Sequence, residues 1–286
     1  MKNAYIISGT RSAIGNFNGS LSAVRTDDLI ASVIKNLIQK NPQIPLDKID
    51  DVIIGCANQA GEDNRNIARM ALLLAGIPVN VPGETVNRLC ASGMSAVVQA
   101  YRAIKSGEGD LFISGGVEGM SRGPYVLSKA EKSFDTAQKM YDSSFGWRFI
   151  NPKMEQLYGT DAMGKTAENL AELYKISREE QDEFALNSQL KAKKAQESGR
   201  LSEEISDVEI PQKKGNSIIF NQDEFIKPNS TLEILSSLKP AFVKENGTVT
   251  AGNSSGLNDG AAAVLIASED AVKNYQLKPI AKIVSS

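Results

Sequence analysis

Histidine is absent from the 286 residues of this sequence, and cysteine occurs only twice. Histidine is the side chain most often used for proton transfer near neutral pH. Its absence indicates either that the chemistry uses other groups or that the chain is incomplete. Two cysteines cannot build a disulfide framework, and they lack the paired spacing and the histidines of a structural zinc site. We therefore expect no bound metal and a reducing, cytoplasmic location.

Long apolar runs and an excess of one charge are also missing. The 32 basic and 34 acidic residues leave a net charge of -2, without a dense basic run that could neutralise a phosphate backbone or an anionic membrane surface. No stretch reaches membrane-spanning length, and residues 1–9 lack the features of a signal peptide. We expect a soluble protein of one large domain or two ordinary ones that binds neither nucleic acid nor membrane.

The amino-terminal part alternates between strand and helix patterns. An apolar run over 4–8 predicts a strand, and residues 51–56 predict a second, buried one. A helix is predicted from Thr26, with the threonine hydroxyl as its cap and acidic residues at its positive end, and another over 66–75. This alternation is typical of an α/β fold.

After residue 83 the predicted strands and helices follow one another closely. An extended segment over 85–89 leads into Cys90, a helix follows to about Lys105, and a strand begins at Leu111. The predicted helix face is apolar and mostly small, and it carries Gly93, Ala96, Val97, Ala100 and Ile104. Small residues let a helix approach its neighbours closely, so we expect this helix to be central and buried.

The sequence beyond this strand is richer in charge. Ser177 and Glu180 form a capping-box pattern that predicts a helix running to about Ser198. We interpret the segment that ends near Gly247 as an inserted, more polar region that covers one mouth of the core. The chain then returns to core structure through a turn-rich loop over 248–256, a strand over 261–267 and the start of another over 279–284.

Cys90 is the candidate nucleophile because it stands at the junction of a strand and a helix. Unpaired backbone N–H groups and the positive end of the helix dipole stabilise a thiolate there. The same N–H groups can stabilise the oxyanion that forms when a thiolate attacks a thioester carbonyl. The alternative, from position alone, is a small buried hydrophobe. Cys56 follows an apolar strand and has no helix start of its own, so we interpret it as a core residue.

Four strings along the chain carry a family resemblance. They are Asn-Arg-Leu-Cys-Ala-Ser-Gly-Met at 87–94, Gly-Gly-Val-Glu-Gly-Met-Ser at 115–121, Thr-Ala-Glu-Asn at 166–169, and a stretch at 247–260 that contains Thr-Ala-Gly-Asn-x-Ser-Gly-Leu-Asn-Asp-Gly. In this order, and spanning nearly the whole chain, they resemble the motifs of the thiolase family. The resemblance implies that Cys90 carries the acyl group during the reaction.

The resemblance also implies a domain organisation. Thiolases consist of two similar halves, each a βαβαβαββ unit, with a loop domain that binds coenzyme A inserted in the first. We expect residues 1–117 to form the first part of the amino-terminal core, 118–247 the inserted loop domain, 248–275 the end of that core, and 276–286 the first strand of a largely absent second half. The family's catalytic asparagine, histidine and second cysteine lie in that second half, which explains the lack of histidine.

Three further residues are assigned by the resemblance to binding acyl-coenzyme A. Met163 stands where the family packs a methionine over the acyl and pantetheine site. Ser255 aligns with a serine that touches the pantetheine arm, and Lys227 falls near an arginine that contacts the adenine end. The alternatives are an ordinary turn residue for Ser255 and a solvated surface charge for Lys227.

Other residues of the chain suggest which substrate is preferred. Ala162 stands where several acetoacetyl-CoA thiolases keep a histidine, which argues against simple acetoacetyl specificity. The strings at 61–66 and 145–152 are similar to those of the β-ketoadipyl-CoA thiolases of aromatic degradation. The alternative for the region around Trp147 is a structural loop anchor.

The resemblance therefore implies a degradative acyl-CoA C-acyltransferase that cleaves a 3-oxoacyl-CoA with coenzyme A through an acyl-Cys90 intermediate. Its partners would be acyl-CoA and coenzyme A, without a tightly bound cofactor, and it would form a homodimer or homotetramer. The alternatives are a biosynthetic acetoacetyl-CoA thiolase, a non-catalytic protein of the same fold, and a thiol redox enzyme, although no resolving cysteine lies near Cys90 in sequence. Without the family histidine, we expect the chain as it stands to be inactive in turnover.

Overall fold

A computed structural model describes residues 2–286, which form two compact units. The first unit contains residues up to 123 together with 202–224 and 258–286, and the second contains 124–201 and 225–257. These units differ from the predicted domain ranges in four places. Residues 118–123 and 202–224, expected in the inserted segment, belong to the first unit, and residues 248–257, expected in the core, belong to the second. Residues 276–286, expected as the first strand of a second half, also belong to the first unit.

Both strands and helices are distributed along the chain, in agreement with the predicted α/β class. The strands are β1 (Ala4–Ser12), β2 (Gly15–Asn16), β3 (Asp51–Gly55), β4 (Gly83–Val86), β5 (Leu111–Gly119), β6 (Tyr125–Leu127), β7 (Met140–Asp142), β8 (Ile205–Ser206), β9 (Val208–Ile210), β10 (Ile218–Phe220), β11 (Asn258–Ser268) and β12 (Ala281–Ile283). The helices are α1 (Thr26–Gln39), α2 (Ile67–Leu74), α3 (Ser92–Ser106), α4 (Pro152–Tyr158), α5 (Met163–Tyr174), α6 (Arg178–Glu197), α7 (Leu232–Ser236) and α8 (Glu269–Asn274). Within residues 2–286, no helix is long and apolar enough to span a lipid bilayer.

One mixed sheet organises the first unit, with the strand order β12-β1-β11-β5-β3-β4. β3 pairs in parallel with β4 and β5, while β11 lies antiparallel between β1 and β5. Two short strands extend the sheet, because β2 pairs with β11 and β8 pairs with β1. The strands predicted over 51–56 and 261–267 are therefore neighbours of the same central strand, β5.

Side chains of β3 alternate between two hydrophobic clusters on opposite faces of this sheet. Val52 and Ile54 belong to the cluster that includes α1 and α2, whereas Ile53 belongs to the cluster that includes α3. Helices thus cover both faces. A strand that is buried on both faces carries a continuous apolar run, which accounts for the Val-Ile-Ile sequence.

The helix α3 packs on the sheet with one face, and its other face is exposed. Ala96, Ala100 and Ile104 have no exposed surface, because this face packs on the sheet. Met94 is 73% exposed on the same helix. Ala96, Ala100 and Ile104 of the predicted apolar face therefore lie on the sheet-facing side of α3.

The sequence predicted the start of α6 correctly and the cap of α1 incorrectly. α6 begins after Ser177, whose side chain accepts a hydrogen bond from the Glu180 N–H while the Glu180 carboxylate accepts one from the Ser177 N–H. This is the predicted capping box. The predicted threonine cap of α1 is wrong, because Thr26 already lies inside the helix and Arg25 is its N-cap residue. The carbonyl of Arg25 accepts from the Leu29 N–H at 2.9 Å, so the helix begins one residue earlier than predicted.

Carboxylates attach residues 202–224 to the first unit. Asp223 receives two hydrogen bonds from the Arg11 guanidinium, with N–O distances of 2.8 and 2.9 Å, and a third from the N–H of Ile14. Glu224 accepts from the N–H of Asn16 at 2.8 Å. These contacts join positions about two hundred residues apart in sequence. They account for the packing of residues 202–224 with the first unit instead of with the inserted region.

The second unit is organised by two buried carboxylates. Glu168 of α5 accepts hydrogen bonds from the N–H groups of Thr248 and Val249 and from the Thr248 hydroxyl. Asp182 of α6 accepts from the side-chain amide of Asn253. The loop that follows Gly247 is thereby tied to α5 and α6.

Candidate active site

Cys90 lies in the tight turn between β4 and α3, and its side chain is exposed. Leu89, immediately before it, has a left-handed backbone with φ 49°, which is uncommon for a residue with a side chain and is found at constrained sites. Two backbone hydrogen bonds close the turn, from Ala91 to Arg88 and from Ser92 to Leu89. The alternative of a buried, hydrophobic Cys90 is therefore wrong.

The start of α3 faces this cysteine without a side-chain cap. Its N-cap residue is Ala91, which supplies no side-chain hydrogen bond, and its first turn contains no acidic residue. The first turn of a helix has N–H groups without intrahelical acceptors, and the positive end of the dipole lies there. Backbone donors are thus available beside Cys90 to a developing negative charge.

Two side chains brace the turn that presents Cys90. The hydroxyl of Ser92 accepts from the Arg88 N–H at 2.8 Å and donates to the Leu89 carbonyl at 2.6 Å. The side chain of Asn87 accepts from the Leu89 N–H at 2.9 Å and donates to the Ala57 carbonyl at 3.1 Å. Both polar groups of Leu89, the residue with the left-handed backbone, are therefore held.

Glycines let the start of α3 rest on the backbone of the sheet. A Cβ on Gly55 would lie 2.3 Å from the carbonyl carbon of Ser92 and 2.4 Å from the nitrogen of Gly93, which no real side chain tolerates. A Cβ on Gly116, the β5 residue paired with Gly55, would lie 3.3 Å from the Cα of Gly93. The glycines at these positions fix how close Cys90 comes to the sheet.

Cys56, Asp63 and Glu118 bring possible metal ligands within 4.8 Å of one another. The Cys56 thiol donates to the Asn58 carbonyl at 2.9 Å, and Glu118 accepts from the N–H groups of Ala57 and Asn58. Burial, together with the charges of Glu118 and Asp63, raises the pKa of Cys56 far above its usual range. The hydrogen bonds of Cys56 and Glu118 hold the loop that follows β3. Cys56 is a core residue, as predicted.

Met163, Ser255 and Lys227 lie in the second unit, whereas Cys90 lies in the first. Met163 is the first residue of α5 and is 82% exposed. Ser255 is also exposed, in a loop whose neighbouring residue Ser254 donates its hydroxyl hydrogen to the Thr250 carbonyl at 2.6 Å. An exposed methionine and an exposed hydroxyl leave both side chains accessible to a ligand.

Lys227 is exposed, and its ammonium nitrogen lies 5.4 Å from the centre of the Phe225 ring. Its backbone N–H donates to the Gln189 side chain at 2.8 Å, which fixes the main chain at this position. The ammonium group is thus placed by an aromatic contact at the surface, a weak interaction that a ligand phosphate could outcompete.

Trp147 is 51% exposed, so it is only partly held by the loop around it. The aromatic contact in this region is made by Phe149, whose ring stacks edge-on against Tyr141 with a centroid distance of 5.0 Å. Phe149 is itself 52% exposed, so burial does not distinguish the two side chains, and the role of Trp147 stays a prediction.

Asn87, Ser92 and Glu118 are the residues of the site that the sequence reasoning missed. All three lie inside the motif strings at 87–94 and 115–121, and that is the signal that could have identified them. Their roles depend on contacts with the loop after β3 and with the bend at Leu89, which no local pattern specifies.

The family model "Thiolase, N-terminal domain" matches residues 4–270. A beta-ketoadipyl-CoA thiolase of Acinetobacter baylyi is 55% identical over 286 residues, which is 100% of this chain and 71% of the relative. A 3-oxoadipyl-CoA/3-oxo-5,6-dehydrosuberyl-CoA thiolase of Escherichia coli is 55% identical over 285 residues, with the same two coverages.

Solved structures of related proteins have the same fold. An acetyl-CoA acetyltransferase of Bacillus anthracis superimposes with a TM-score of 0.90 at 38% identity, over 99% of this chain and 70% of that one. Human mitochondrial 3-ketoacyl-CoA thiolase in complex with CoA superimposes with a TM-score of 0.88 at 35% identity, over 99% of this chain and 69% of that one.

Proposed function

We propose that this chain, which belongs to the thiolase family, takes part in the cleavage of a 3-oxoacyl-CoA by coenzyme A, with Cys90 as the residue that is acylated. The observation that carries the proposal is the exposed Cys90 at the uncapped start of α3, on a turn held by side chains on both sides. Such a turn presents a sulfur nucleophile and backbone donors to the same substrate carbonyl.

The proposed reaction has two acyl-transfer steps. The Cys90 thiolate attacks the 3-oxo carbonyl, the bond between C2 and C3 breaks, and the two-carbon fragment leaves as acetyl-CoA after it takes up a proton. The thiolate of a second coenzyme A then attacks the acyl-cysteine and releases a shortened acyl-CoA and the free Cys90. N–H groups at the start of α3 stabilise the oxyanion of each step. Coenzyme A is a substrate here, and no tightly bound cofactor is needed.

The proposed binding residues for the coenzyme A thioester are Met163, Ser255 and Lys227. Their support is the family resemblance, in which Ser255 lies inside a motif, Met163 stands at a family methionine position and Lys227 falls near a family arginine, together with the exposure of all three side chains. In this assignment Met163 packs against the acyl and pantetheine groups, Ser255 binds the pantetheine arm, and the Lys227 ammonium pairs with the nucleotide phosphates rather than with the neutral adenine.

The proposed substrate is a 3-oxoacyl-CoA with a terminal carboxylate, of the 3-oxoadipyl type. Two relatives named for such substrates are 55% identical to the whole chain. Ala162 supports the same assignment against a biosynthetic acetoacetyl-CoA thiolase, because it lacks the imidazole that several of those enzymes keep there. Cleavage of 3-oxoadipyl-CoA at C3 would leave a succinyl group on Cys90.

The proposal is tested by acylation of the purified chain with succinyl-CoA, followed by peptide mass spectrometry. We expect a succinyl adduct on Cys90, formed at a rate that saturates with succinyl-CoA and exceeds the rate of the same thiol in the chain unfolded by urea. Cys90→Ala removes the adduct. With acetyl-CoA the rate should be lower. An adduct on Cys56, or a rate equal to that of the unfolded chain, would overturn the assignment and favour a non-catalytic member of the fold.

A further inference from the structure

A continuous series of hydrogen bonds runs from β5 to the turn that carries Cys90. At one end, the Glu118 carboxylate accepts from the N–H groups of Ala57 at 3.0 Å and Asn58 at 3.1 Å. The carbonyl of Ala57 then accepts from the Asn87 side-chain amide at 3.1 Å. The amide oxygen of Asn87 accepts from the Leu89 N–H at 2.9 Å.

The side chain of Asn87 contacts both the loop after β3, through the Ala57 carbonyl, and the turn that carries Cys90, through the Leu89 N–H. The other side-chain bond to Leu89 in the described residues comes from the Ser92 hydroxyl and stays within the turn. The Asn87 amide joins a carbonyl on one side to an N–H on the other, and an asparagine side chain has the donor and acceptor that this requires. The Leu89 N–H would otherwise point into a bend with φ 49°, a conformation that persists only where the surroundings enforce it.

We propose that Asn87 is a positioning residue for Cys90, and that Glu118 supports it by fixing the Ala57 carbonyl. The inference deepens the proposed acyl transfer and rests on it. Asn87 acts through the backbone of Leu89, so it sets where the Cys90 sulfur lies relative to the start of α3. A misplacement of about 1 Å at a reacting centre can cost on the order of a hundredfold in rate.

Three variants separate the roles of the two Asn87 bonds. Asn87→Ala removes both and should lower the maximal rate of Cys90 acylation by succinyl-CoA about 10- to 100-fold. Asn87→Asp keeps the acceptor for the Leu89 N–H but places a carboxylate oxygen against the Ala57 carbonyl, so its rate should fall at least as much as that of Asn87→Ala. Glu118→Gln places an amide nitrogen, which cannot accept, beside one of the two N–H groups that Glu118 holds. The maximal rate should fall less than in Asn87→Ala.

A positioning role makes a prediction that general destabilisation does not. Asn87 does not bind substrate, so the succinyl-CoA concentration at half-maximal rate should change less than twofold while the maximal rate falls. Alkylation of Cys90 by iodoacetamide, a small reagent without an orientation requirement, should also change less than about threefold. Cys56 serves as an internal control, because its alkylation reports opening of the fold and should remain as slow as in the unmodified chain.

The matched control is Asn221→Ala in the same unit. Asn221 is an exposed asparagine whose side-chain amide donates to Asp207 at 3.2 Å, so the rate of acylation should be unchanged. An unchanged maximal rate in Asn87→Ala, or a fall matched by rapid alkylation of Cys56, would overturn the inference while leaving acyl transfer at Cys90 in place. No acylation of the unmodified chain would instead overturn the proposed function, and this inference with it.

Discussion

Gly55 of β3 and Ser92 at the start of α3 are in direct backbone contact, since a Cβ on Gly55 would fall 2.3 Å from the Ser92 carbonyl carbon. Neither backbone segment has a flexible side chain that could move aside. Gly55→Ala should therefore push the start of α3 off the sheet, lower the free energy of unfolding by at least about 1–3 kcal/mol and slow the acylation of Cys90.

The control for this substitution is Gly93→Ala, one residue along α3 from Ser92. A Cβ on Gly93 would meet its nearest atom, the Gly115 carbonyl oxygen, at 3.7 Å, an ordinary contact. The free energy of unfolding of the Gly93→Ala variant should be unchanged or slightly raised, because alanine has a higher helix propensity than glycine. Urea denaturation of the two variants measures the difference, and equal stabilities would show that the contact at Gly55 relaxes without cost.

The two cysteines should differ sharply towards iodoacetamide. Cys90 is exposed, whereas Cys56 is 1% exposed and its pKa is raised by burial and by the nearby carboxylates Glu118 and Asp63. The thiolate is the reactive form. In the folded chain near pH 8 we expect labelling at Cys90 and almost none at Cys56, and equal labelling of both after unfolding in urea. Tryptic mass spectrometry measures the ratio, and comparable labelling of Cys56 in the folded chain would contradict the structure.

Glu168 should make the second unit sensitive to acid. Burial alone would raise its pKa, but hydrogen bonds from Thr248 and Val249 outweigh this and leave the pKa of Glu168 below its ordinary value. A carboxyl group with a depressed pKa in the folded state contributes stability above its unfolded pKa and loses it as the pH falls through the folded pKa. The contribution is therefore complete at neutral pH and declines below about pH 4.5.

Glu168→Gln removes this contribution, and it should lower the free energy of unfolding at pH 7 by about 2 kcal/mol or more, because buried hydrogen bonds to a charged group are lost. The difference from the unmodified chain should shrink as the pH approaches 3. Glu172→Gln, an exposed position on the same helix, is the control and should stay within about 0.5 kcal/mol at pH 7. Parallel acid dependences for the Glu168→Gln variant and the unmodified chain would rule out the assigned role.

The comparison of sequence and structure separates local signals from long-range ones. The capping box of Ser177 and Glu180 predicted the start of α6 because both partners lie within one helical turn. The attachment of residues 202–224 to the first unit could not be predicted, because it depends on Arg11 and Asp223 finding each other across the chain.

The candidate site divides in the same way. The strand-to-helix pattern and the motif located Cys90, but periodicity does not show whether a residue in a turn faces solvent or the core. The answer depends on the left-handed backbone of Leu89 and on the bridge that Asn87 makes to Ala57. The bond between Asn87 and Ala57 joins segments that are thirty residues apart, so it is a product of the fold rather than of the local sequence.

The 286-residue chain should not catalyse repeated turnover of a 3-oxoacyl-CoA. Cleavage of a 3-oxoacyl-CoA requires a proton for the departing two-carbon fragment and removal of one from the incoming thiol, and a positioned acid or base typically contributes about a hundred- to ten-thousand-fold to such a step. The chain contains no histidine, and its other cysteine, Cys56, is buried and keeps its proton. Acylation of Cys90 depends mainly on the sulfur and the helix start, so it should proceed slowly, to at most one acyl group per chain. With 3-oxoadipyl-CoA and coenzyme A present together, loss of the 3-oxoacyl thioester should therefore stop at or below one equivalent. Repeated turnovers that disappear in Cys90→Ala would show that these residues already contain the acid and base of the reaction.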